Sequence, residues 1–245
     1  MENAQLISLS RQIALERLID VTANNIANLN TTGFKAEKVL FEEYLMPVAR
    51  DQDFAAPDQQ LSFTHDWGSM HDMSNGETAP TGNPLDLALL GDGFLTVMTP
   101  DGERWTRGGS LQINAEGTLV DLNGYPVIAD GSEVHFDQEE GNISIASDGT
   151  ITTGAGAKGQ LQIVEFANTQ QLTREGRGLF SGGTPLPATG TAVLQGSLER
   201  SNVSGITEMS DLIRVSRSYE SLASLMQRQD EIRRAAIQRL GDATA

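Results

Sequence analysis

Two histidines have the spacing in this chain that comes nearest to metal chemistry. His65 and His71 lie six residues apart, and Asp66 and Asp72 follow them directly. Imidazole and carboxylate groups are common zinc ligands, but no third ligand follows at a diagnostic spacing. The chain has no cysteine, which excludes disulfides and thiolate sites. We therefore expect these residues to lie in a surface loop, and we expect no metal or other cofactor.

A glycine-rich stretch, Gly154-Ala155-Gly156-Ala157-Lys158-Gly159, fits the G-x-G-x-x-G pattern of dinucleotide-binding sites. Such a site needs a strand before the glycines and a helix after them, because the helix N-terminus holds the pyrophosphate. Here the strand-like run Leu161–Phe166 follows instead. The pattern therefore predicts a loop between strands.

Two further segments resemble fragments of calcium-binding loops: Asp121-Leu122-Asn123-Gly124 and Ser147-Asp148-Gly149-Thr150. Neither has the twelve-residue spacing with a terminal Glu, so both predict turns. No nucleophile with an adjacent base and no convergent acid and base pair is visible. The sequence therefore predicts a protein that is not an enzyme.

The formal charge of −16 is concentrated in the middle of the chain. Residues 31–207 hold 9 basic and 24 acidic residues, whereas residues 208–245 hold 6 of each. Nucleic-acid binding is disfavoured, because phosphate contacts need clustered Lys and Arg. No apolar run reaches the roughly 18 residues of a membrane span. The first residues lack the basic region of a cleavable secretory signal, so export would need another route.

The middle of the chain has the pattern of a β domain. Short apolar or alternating runs follow one another from Leu85 onward and are separated by pairs such as Asn123-Gly124 and Asp130-Gly131. Such pairs between alternating runs favour hairpins. We predict antiparallel β structure over residues 82–203. Residues 34–81 contain many polar residues, Gly and Pro, and predict an extended, irregular connector with short strands at most.

Both ends of the chain have the pattern of long helices. Residues 1 to about 30 carry a broad apolar stripe that includes Leu6, Leu9, Ile13 and Leu18. Residues 204–240 carry apolar residues at steps of three and four, including Met209, Leu212, Tyr219 and Met226. A long helix cannot bury such a stripe alone, so each helix needs a partner.

An asparagine-rich segment ends the first helix. Asn24, Asn25, Asn28 and Asn30 precede Gly33, which is a plausible helix stop. Asparagine side chains can satisfy backbone groups where a helix ends at a buried junction. The simpler interpretation is helix termination alone.

Several motifs together resemble the family of bacterial flagellar rod and hook proteins. Ala23–Asn28 followed by Asn30–Lys35 resembles the N-terminal signature of that family, including Gly33 and Phe34. Matching central segments follow at Gly91–Leu95 and Thr106–Leu111. The C-terminal signature corresponds to Leu198–Val203, which contains Asn202, and to Arg217–Glu220. The matches span nearly the whole chain in the order of the family.

The resemblance implies a structural subunit of the flagellar basal body. Family members leave the cell through the flagellar type III export apparatus without a cleaved signal and polymerise into a rod that transmits torque across the periplasm. Their terminal helices pair in the inner core of the tube, and the β domain faces outward. The implied partners are other copies of the chain and other rod proteins. Assembly residues are expected among those named above on the helices and in the two terminal signatures.

The fold class expected from pattern and resemblance is α+β, with paired, coiled-coil-like terminal helices flanking a mainly antiparallel β middle. The expected domains are 1–33 with 204–245 for assembly, 34–81 as connector and 82–203 as outer domain. Within the family, Ser8–Leu15 most resembles the beginning of the proximal-rod member. A distal-rod or hook subunit stays open as an alternative, and so does a rod-associated hydrolase, for which no carboxylate pair or metal triad is found.

Overall fold

The computed structural model describes residues 2–46, 61–137 and 141–242. The chain divides into two compact units. The helical unit comprises Met1–Ile26, Glu37–Met70 and Gly205–Ala245, and the β unit comprises Ala27–Ala36 and His71–Ser204. The chain therefore passes from one unit to the other several times, and each unit is assembled from segments that are far apart in sequence.

Two long helices confirm the prediction for the chain ends. Helix α1 spans Glu2–Ala27 and helix α2 spans Gly205–Asp242. With 38 residues, α2 is roughly 57 Å long at 1.5 Å per residue. Within the described part of the chain, no helix is both long and apolar enough to cross a membrane.

Each of the two helices buries one stripe, and we call the two stripes together the inner seam. It consists of Ala14, Leu18 and Val21 of α1 and of Leu212, Val215, Tyr219, Leu222 and Met226 of α2, all buried or half-buried. The Gln12 Nε2 group donates a hydrogen bond to the Tyr219 hydroxyl at 3.0 Å. The alternating steps of three and four in α2 are those of coiled-coil packing.

Met209 lies off the inner seam. The stripe predicted from the sequence continued through Met209, but this side chain is 54% exposed. One turn before Leu212, the seam continues instead through Glu208, which is half-buried. The predicted stripe was broad, and sequence spacing alone does not decide which of two adjacent positions is buried.

The segment expected to be an irregular connector contains two long strands. Strand β1 spans Glu37–Met46 and β2 spans Leu61–His71, and they pair in a two-stranded sheet. The expectation of short strands at most was wrong, because acidic residues interrupt the apolar alternation of this segment and weaken its period of two. His65 lies in β2 and not in a loop; its side chain lies outside the described residues.

The β unit confirms the prediction of a mainly antiparallel middle region. Its strands are β3 (Thr78–Pro80), β4 (Leu87–Leu90), β5 (Phe94–Thr99), β6 (Gly102–Thr106), β7 (Leu111–Ile113), β8 (Leu119–Asp121), β9 (Ile128–Ala129), β10 (Ser132–Glu133), β11 (Ser144–Ile145), β12 (Thr150–Thr153), β13 (Gly156–Gln160), β14 (Ile163–Phe166), β15 (Thr173–Glu175), β16 (Leu179–Ser181), β17 (Pro185–Pro187), β18 (Ala192–Gln195) and β19 (Ser197–Glu199). The largest sheet has six strands in the order β15-β16-β6-β5-β14-β17, with every neighbouring pair antiparallel. Smaller sheets pair β3 with β19, β4 with β18, β7 with β8 and β9 with β10, and join β11, β12 and β13.

Predicted turns connect several of these strands. Asp130-Gly131 joins β9 to β10 as a two-residue hairpin, as the sequence indicated. The G-x-G-x-x-G stretch lies in the β12–β13 hairpin, with no helix after it. Strand β3 lies in the segment assigned to the connector, yet it pairs with β19. That pairing joins residues about 120 positions apart, which sequence pattern alone does not reveal.

Two apolar cores stabilise the β unit. The larger is built from aliphatic side chains and includes Leu95, Val97, Leu119, Val127 and Ile151, all fully buried. The smaller is aromatic: Phe94 contacts both Phe166 and Phe180 edge to face, with ring centroids 5.6 and 5.7 Å apart. Such pairs add to the stabilisation from apolar burial.

A matched pair of leucines tests this assignment of the larger core. Leu119 is fully buried, whereas Leu122 is 64% exposed only three residues later. We expect Leu119→Ala to lower the free energy of unfolding by about 2–5 kcal/mol, because it leaves a cavity. We expect Leu122→Ala to change it by less than about 0.5 kcal/mol. Urea denaturation of both variants measures the difference, and equal effects would contradict the assignment.

Candidate functional site

Three buried charged side chains lie at the centre of a polar network in the β unit. Lys35, Arg107 and Glu199 are 1%, 1% and 3% exposed, and each lies in a different signature segment. The Lys35 Nζ atom is 2.7 Å from Glu199 Oε1, and the Arg107 Nη2 atom is 2.8 Å from Glu199 Oε2. We call this group, together with Gly33, Phe34 and Asn202, the signature junction.

The Glu199 carboxylate accepts hydrogen bonds from three parts of the chain. Its Oε1 atom accepts from Lys35 Nζ at 2.7 Å and from the Gly76 backbone N–H at 2.9 Å. Its Oε2 atom accepts from Arg107, whose Nε lies 3.1 Å away. A carboxylate with about four acceptor positions is thereby almost saturated. Glu199 therefore fixes all three segments at one point.

Arg107 connects this carboxylate to the turn at Gly91–Gly93. Its Nη1 atom donates to the Gly91 carbonyl at 2.8 Å and to the Gly93 carbonyl. Its Nη2 atom also donates to Asn75 Oδ1 at 2.7 Å. The planar guanidinium can reach several acceptors in fixed directions, which a lysine cannot do. Arg107 thus holds the central signature in place.

The charges of the junction are unequal, with two cations around one carboxylate. Burial, together with repulsion by Arg107, lowers the pKa of Lys35 below its usual value, while the hydrogen bond and charge of Glu199 oppose that shift. Removal of one partner from a buried ionic group leaves an uncompensated charge. The Glu199 carboxylate is therefore the member whose loss is expected to cost most.

Backbone contacts close the junction around the two terminal signatures. The Gly33 N–H donates to the Glu199 carbonyl at 2.9 Å, and the Asn202 N–H donates to the Phe34 carbonyl at 3.3 Å. The Asn202 side chain accepts from the Ala36 N–H at 2.7 Å and donates to the carbonyls of Asp72 and Ser74 at 2.8 and 3.0 Å. One carboxamide therefore satisfies backbone groups of two separate segments.

Gly33 and Phe34 are held tightly against this network. Gly33 has a φ of +67°, and a Cβ atom there would lie 2.4 Å from the Arg107 backbone. The Phe34 ring is buried beneath the Arg174 guanidinium, whose central carbon lies 4.0 Å from the ring centroid. A glycine is required at position 33 both by the backbone conformation and by the close approach.

The helical unit has its own polar contact at the end of α1. The buried Asn25 side chain accepts from the Glu37 N–H at 3.0 Å and donates to the Glu37 carbonyl at 2.9 Å. Arg17 also pairs with Glu37 at 3.7 Å. The expectation that asparagines satisfy backbone groups near the helix end is confirmed for Asn25. Asn28 instead accepts from the Thr31 hydroxyl at 3.1 Å.

The other residues predicted for assembly occupy three kinds of position. Leu18, Leu212, Tyr219 and Met226 lie on the inner seam. Leu9, Ile13, Asn24 and Met209 are exposed on the helices. Leu6 lies in α1, and its side chain is outside the described residues. The structure thus gathers Gly33, Phe34 and Asn202 into the signature junction, and the other predicted residues are not members of it.

Sequence reasoning did not identify Lys35, Arg107 and Glu199 as a group. Each appears in a signature segment, but single charged residues are usually solvated. The available signal was their setting: Lys35 follows Gly33-Phe34, Arg107 precedes Gly108-Gly109, and Glu199 follows Leu198. A charged residue beside glycines and apolar residues in a compact motif is a candidate for burial.

The charged side chains of the junction are engaged in structural contacts. In the stretches that the structure describes, no group of three His, Cys, Asp or Glu residues could hold a metal ion. The charged side chains of the junction are engaged with one another and with backbone groups, away from solvent. Such an arrangement fixes chain segments relative to one another within the β unit.

Charge removal at the junction tests its energetic role. We expect Glu199→Gln to lower the free energy of unfolding by about 3–5 kcal/mol, because it leaves two cations buried without a carboxylate. The control is Glu77→Gln, which removes the exposed pair with Arg200 at 3.8 Å. That change should stay within about 0.5 kcal/mol. Denaturant unfolding of both variants measures these changes in free energy. A change at Glu199 as small as that at Glu77 would contradict the role of Glu199 as the central charge of the junction.

A second substitution tests the close approach of Gly33. We expect Gly33→Ala to destabilise the β unit more than Gly131→Ala, although both glycines have positive φ values of 67° and 77°. Nothing lies within 4 Å of a Cβ atom at Gly131, so that variant measures backbone strain alone. The excess at Gly33 should be about 1–3 kcal/mol, typical of overpacking. Equal melting temperatures of the Gly33→Ala and Gly131→Ala variants would show that the close approach of Gly33 to the Arg107 backbone does not affect stability.

Comparisons with known protein families match the three regions of the chain that contain the signature segments. Residues 6–35 match the flagella basal body rod protein family. Residues 88–153 match the D1 domain of the flagellar hook protein FlgE/F/G family. Residues 194–239 match the C-terminal region of the flagellar basal body rod FlgEFG proteins. Lys35, Arg107 and Glu199 fall in the three matched regions, one in each.

Full-length relatives give the same result. The chain is 37% identical to the flagellar basal-body rod protein FlgF of Caulobacter vibrioides, over 98% of this chain and 99% of that protein. It is 32% identical to FlgF of Mesorhizobium japonicum over the same shares. Identity to the rod protein FlgG of Bacillus subtilis is 33%, over 87% of this chain and 90% of that protein. The chain therefore belongs to the family of flagellar basal-body rod proteins.

Proposed function

We propose that this chain is a structural subunit of the flagellar basal-body rod and that it assembles through its terminal helices. The main support for this proposal is the apolar surface that stays exposed on α1 and α2 in the single chain. Ile206 is 85% exposed, and the other exposed apolar residues of the helices are Leu9, Ile13, Met209, Ile213, Leu225, Ile232 and Ile237. Exposed apolar stripes on paired helices favour further helical partners.

The proposed partners are other copies of this chain and other rod proteins. A heterologous contact whose rotation does not close generates an open helical assembly, which is the geometry of a rod. In such an assembly the inner seam would hold one chain together, while the exposed stripes would contact neighbours. The proposed location is the rod in the periplasmic space, reached through the flagellar type III export apparatus without a cleaved signal.

The signature junction supports a mechanical role in this proposal. It binds together the segment that follows α1 and the segment that precedes α2, through Gly33, Phe34, Glu199 and Asn202. These two segments continue directly into α1 and α2 along the chain, so the buried network fixes both attachment segments within the β unit. This role needs no catalysis, and we propose that the chain is not an enzyme.

Similarity to FlgF over almost the full length supports a proximal-rod position. The FlgF relative in Caulobacter vibrioides covers more of this chain, and at higher identity, than the FlgG relative in Bacillus subtilis. A distal-rod subunit is the second candidate, favoured by the 33% identity to FlgG. Electron microscopy of basal bodies from a strain that lacks this chain separates the two, because the rod would end at different heights.

Two neighbouring positions on α2 test assembly through the exposed apolar surface. We expect Met209→Asp to abolish or greatly reduce swimming when it replaces the wild-type chain, because a charge at an apolar contact resists burial. The control is Ser210→Asp, which adds the same charge at the next exposed position and should retain swimming.

The thermal unfolding of both purified variants should match that of the wild-type chain, since both side chains are exposed. Deletion of residues 208–245 should also abolish swimming. If the chain that lacks residues 208–245 still supports swimming, the proposal that the rod assembles through the terminal helices is wrong.

A further inference from the structure

Helix α2 carries a second stripe on a face other than the inner seam. Its positions are separated alternately by four and three residues, as in a heptad repeat. We call it the basic stripe, and it consists of Arg214, Ser218, Ser221, Leu225, Arg228, Ile232, Ala235 and Arg239. Leu225 and Ile232 are 48% and 69% exposed, and the stripe contains no acidic residue.

Helix α1 carries a corresponding stripe of opposite charge. We call it the acidic stripe, and it consists of Leu9, Ile13, Glu16 and Asp20, again at steps of four, three and four. All four side chains are exposed, and the stripe contains no basic residue. By position alone, Glu2 and Leu6 continue the same stripe toward the start of the helix. The buried positions of α1 lie on another face and include Ala14, Val21, Thr22 and Asn25.

The two stripes do not meet within one chain. Within a chain, α1 contacts α2 through the hydrogen bond between Gln12 and Tyr219, neither of which belongs to the acidic or the basic stripe. The acidic and basic stripes lie on the faces that this contact leaves exposed. They are therefore available for contact between chains.

Charge and apolar pattern are complementary between the stripes. A solvated helix face often carries both signs, because pairs three and four residues apart then stabilise the helix. Here each stripe carries charges of one sign only, and each stripe also presents exposed leucine or isoleucine side chains. Opposite charges beside an apolar heptad seam set partner choice in helical assemblies.

We propose that the acidic stripe of α1 in one copy packs against the basic stripe of α2 in a second copy of this chain. The inference rests on the proposed function and adds to it the faces that meet. Because the two faces differ, the contact is heterologous and leaves one stripe of each kind free on the growing assembly. Arg214 also pairs with Asp211 of its own helix at 2.6 Å, so Arg228 and Arg239 are the main cations available to a neighbour.

Charge reversal tests the pairing. We expect Glu16→Arg alone and Arg228→Glu alone each to impair swimming, and the double variant Glu16→Arg/Arg228→Glu to restore it, because complementarity returns with exchanged signs. The controls are Glu231→Arg and Arg234→Glu, two exposed residues of α2 outside both stripes and the inner seam, which should swim normally.

Cysteine crosslinking gives a direct readout, because the natural chain has no cysteine. Full-length chains with Leu9→Cys are mixed with chains carrying Leu225→Cys and oxidised. We expect a disulfide-linked pair of the two different chains, and adding Arg228→Glu should reduce its yield by roughly 3- to 10-fold. A mixture of Leu9→Cys with Ser210→Cys is the control and should give a much lower yield.

The outcomes separate the inference from the proposed function. If both single reversals swim normally while the chain lacking residues 208–245 does not, the pairing of stripes is wrong and assembly through the helices stands. If the single reversals stop swimming and the double variant does not recover, a second copy is the wrong partner. If the chain lacking residues 208–245 swims, the proposed function itself fails.

Discussion

The Glu199 carboxylate is the constraint on which the β unit depends. It accepts hydrogen bonds from Lys35, Gly76 and Arg107, which come from three parts of the chain. An ionised carboxylate can be buried only where such donors surround it, and the donors in turn can be buried only where the carboxylate is present. The burial of each group therefore requires the others. The signature segments that supply them must close together, which makes the junction a single cooperative element.

This constraint explains features that otherwise have no common cause. Gly33 must be glycine because the chain passes against the Arg107 backbone, and the Gly91–Gly93 turn is held by the Arg107 guanidinium. Asn202 completes the network by satisfying the Ala36 N–H and two carbonyl groups. The helical unit follows a different principle, because its inner seam is mainly apolar and most of its charged residues are exposed. One unit is specified by a buried polar network and the other by helical periodicity.

Much of the fold could be predicted from the sequence, because its elements have strong local signals. The helices are long, and their apolar residues recur at steps of three and four. Turn pairs such as Asp130-Gly131 favour hairpins through the conformations that these two residues adopt. The β1–β2 pair was missed because acidic residues obscure its alternation. The pairing of β3 with β19 and the meeting of Lys35, Arg107 and Glu199 were inaccessible for another reason. They depend on contacts across roughly 70 to 160 residues, and no local property of a charged residue shows which distant partner will neutralise it.

A cryo-EM map of the isolated basal body, with this chain traced, would show directly whether the terminal helices of neighbouring copies pack together in the rod. We expect α1 and α2 of each copy to lie in a continuous helical layer of the rod, with Leu9–Asp20 of one copy against Leu225–Arg239 of the next. We also expect an intact contact between Glu199, Lys35 and Arg107 inside every β unit. Helices that lie apart from neighbouring chains, or a rod in which this chain is absent, would rule out assembly through the terminal helices.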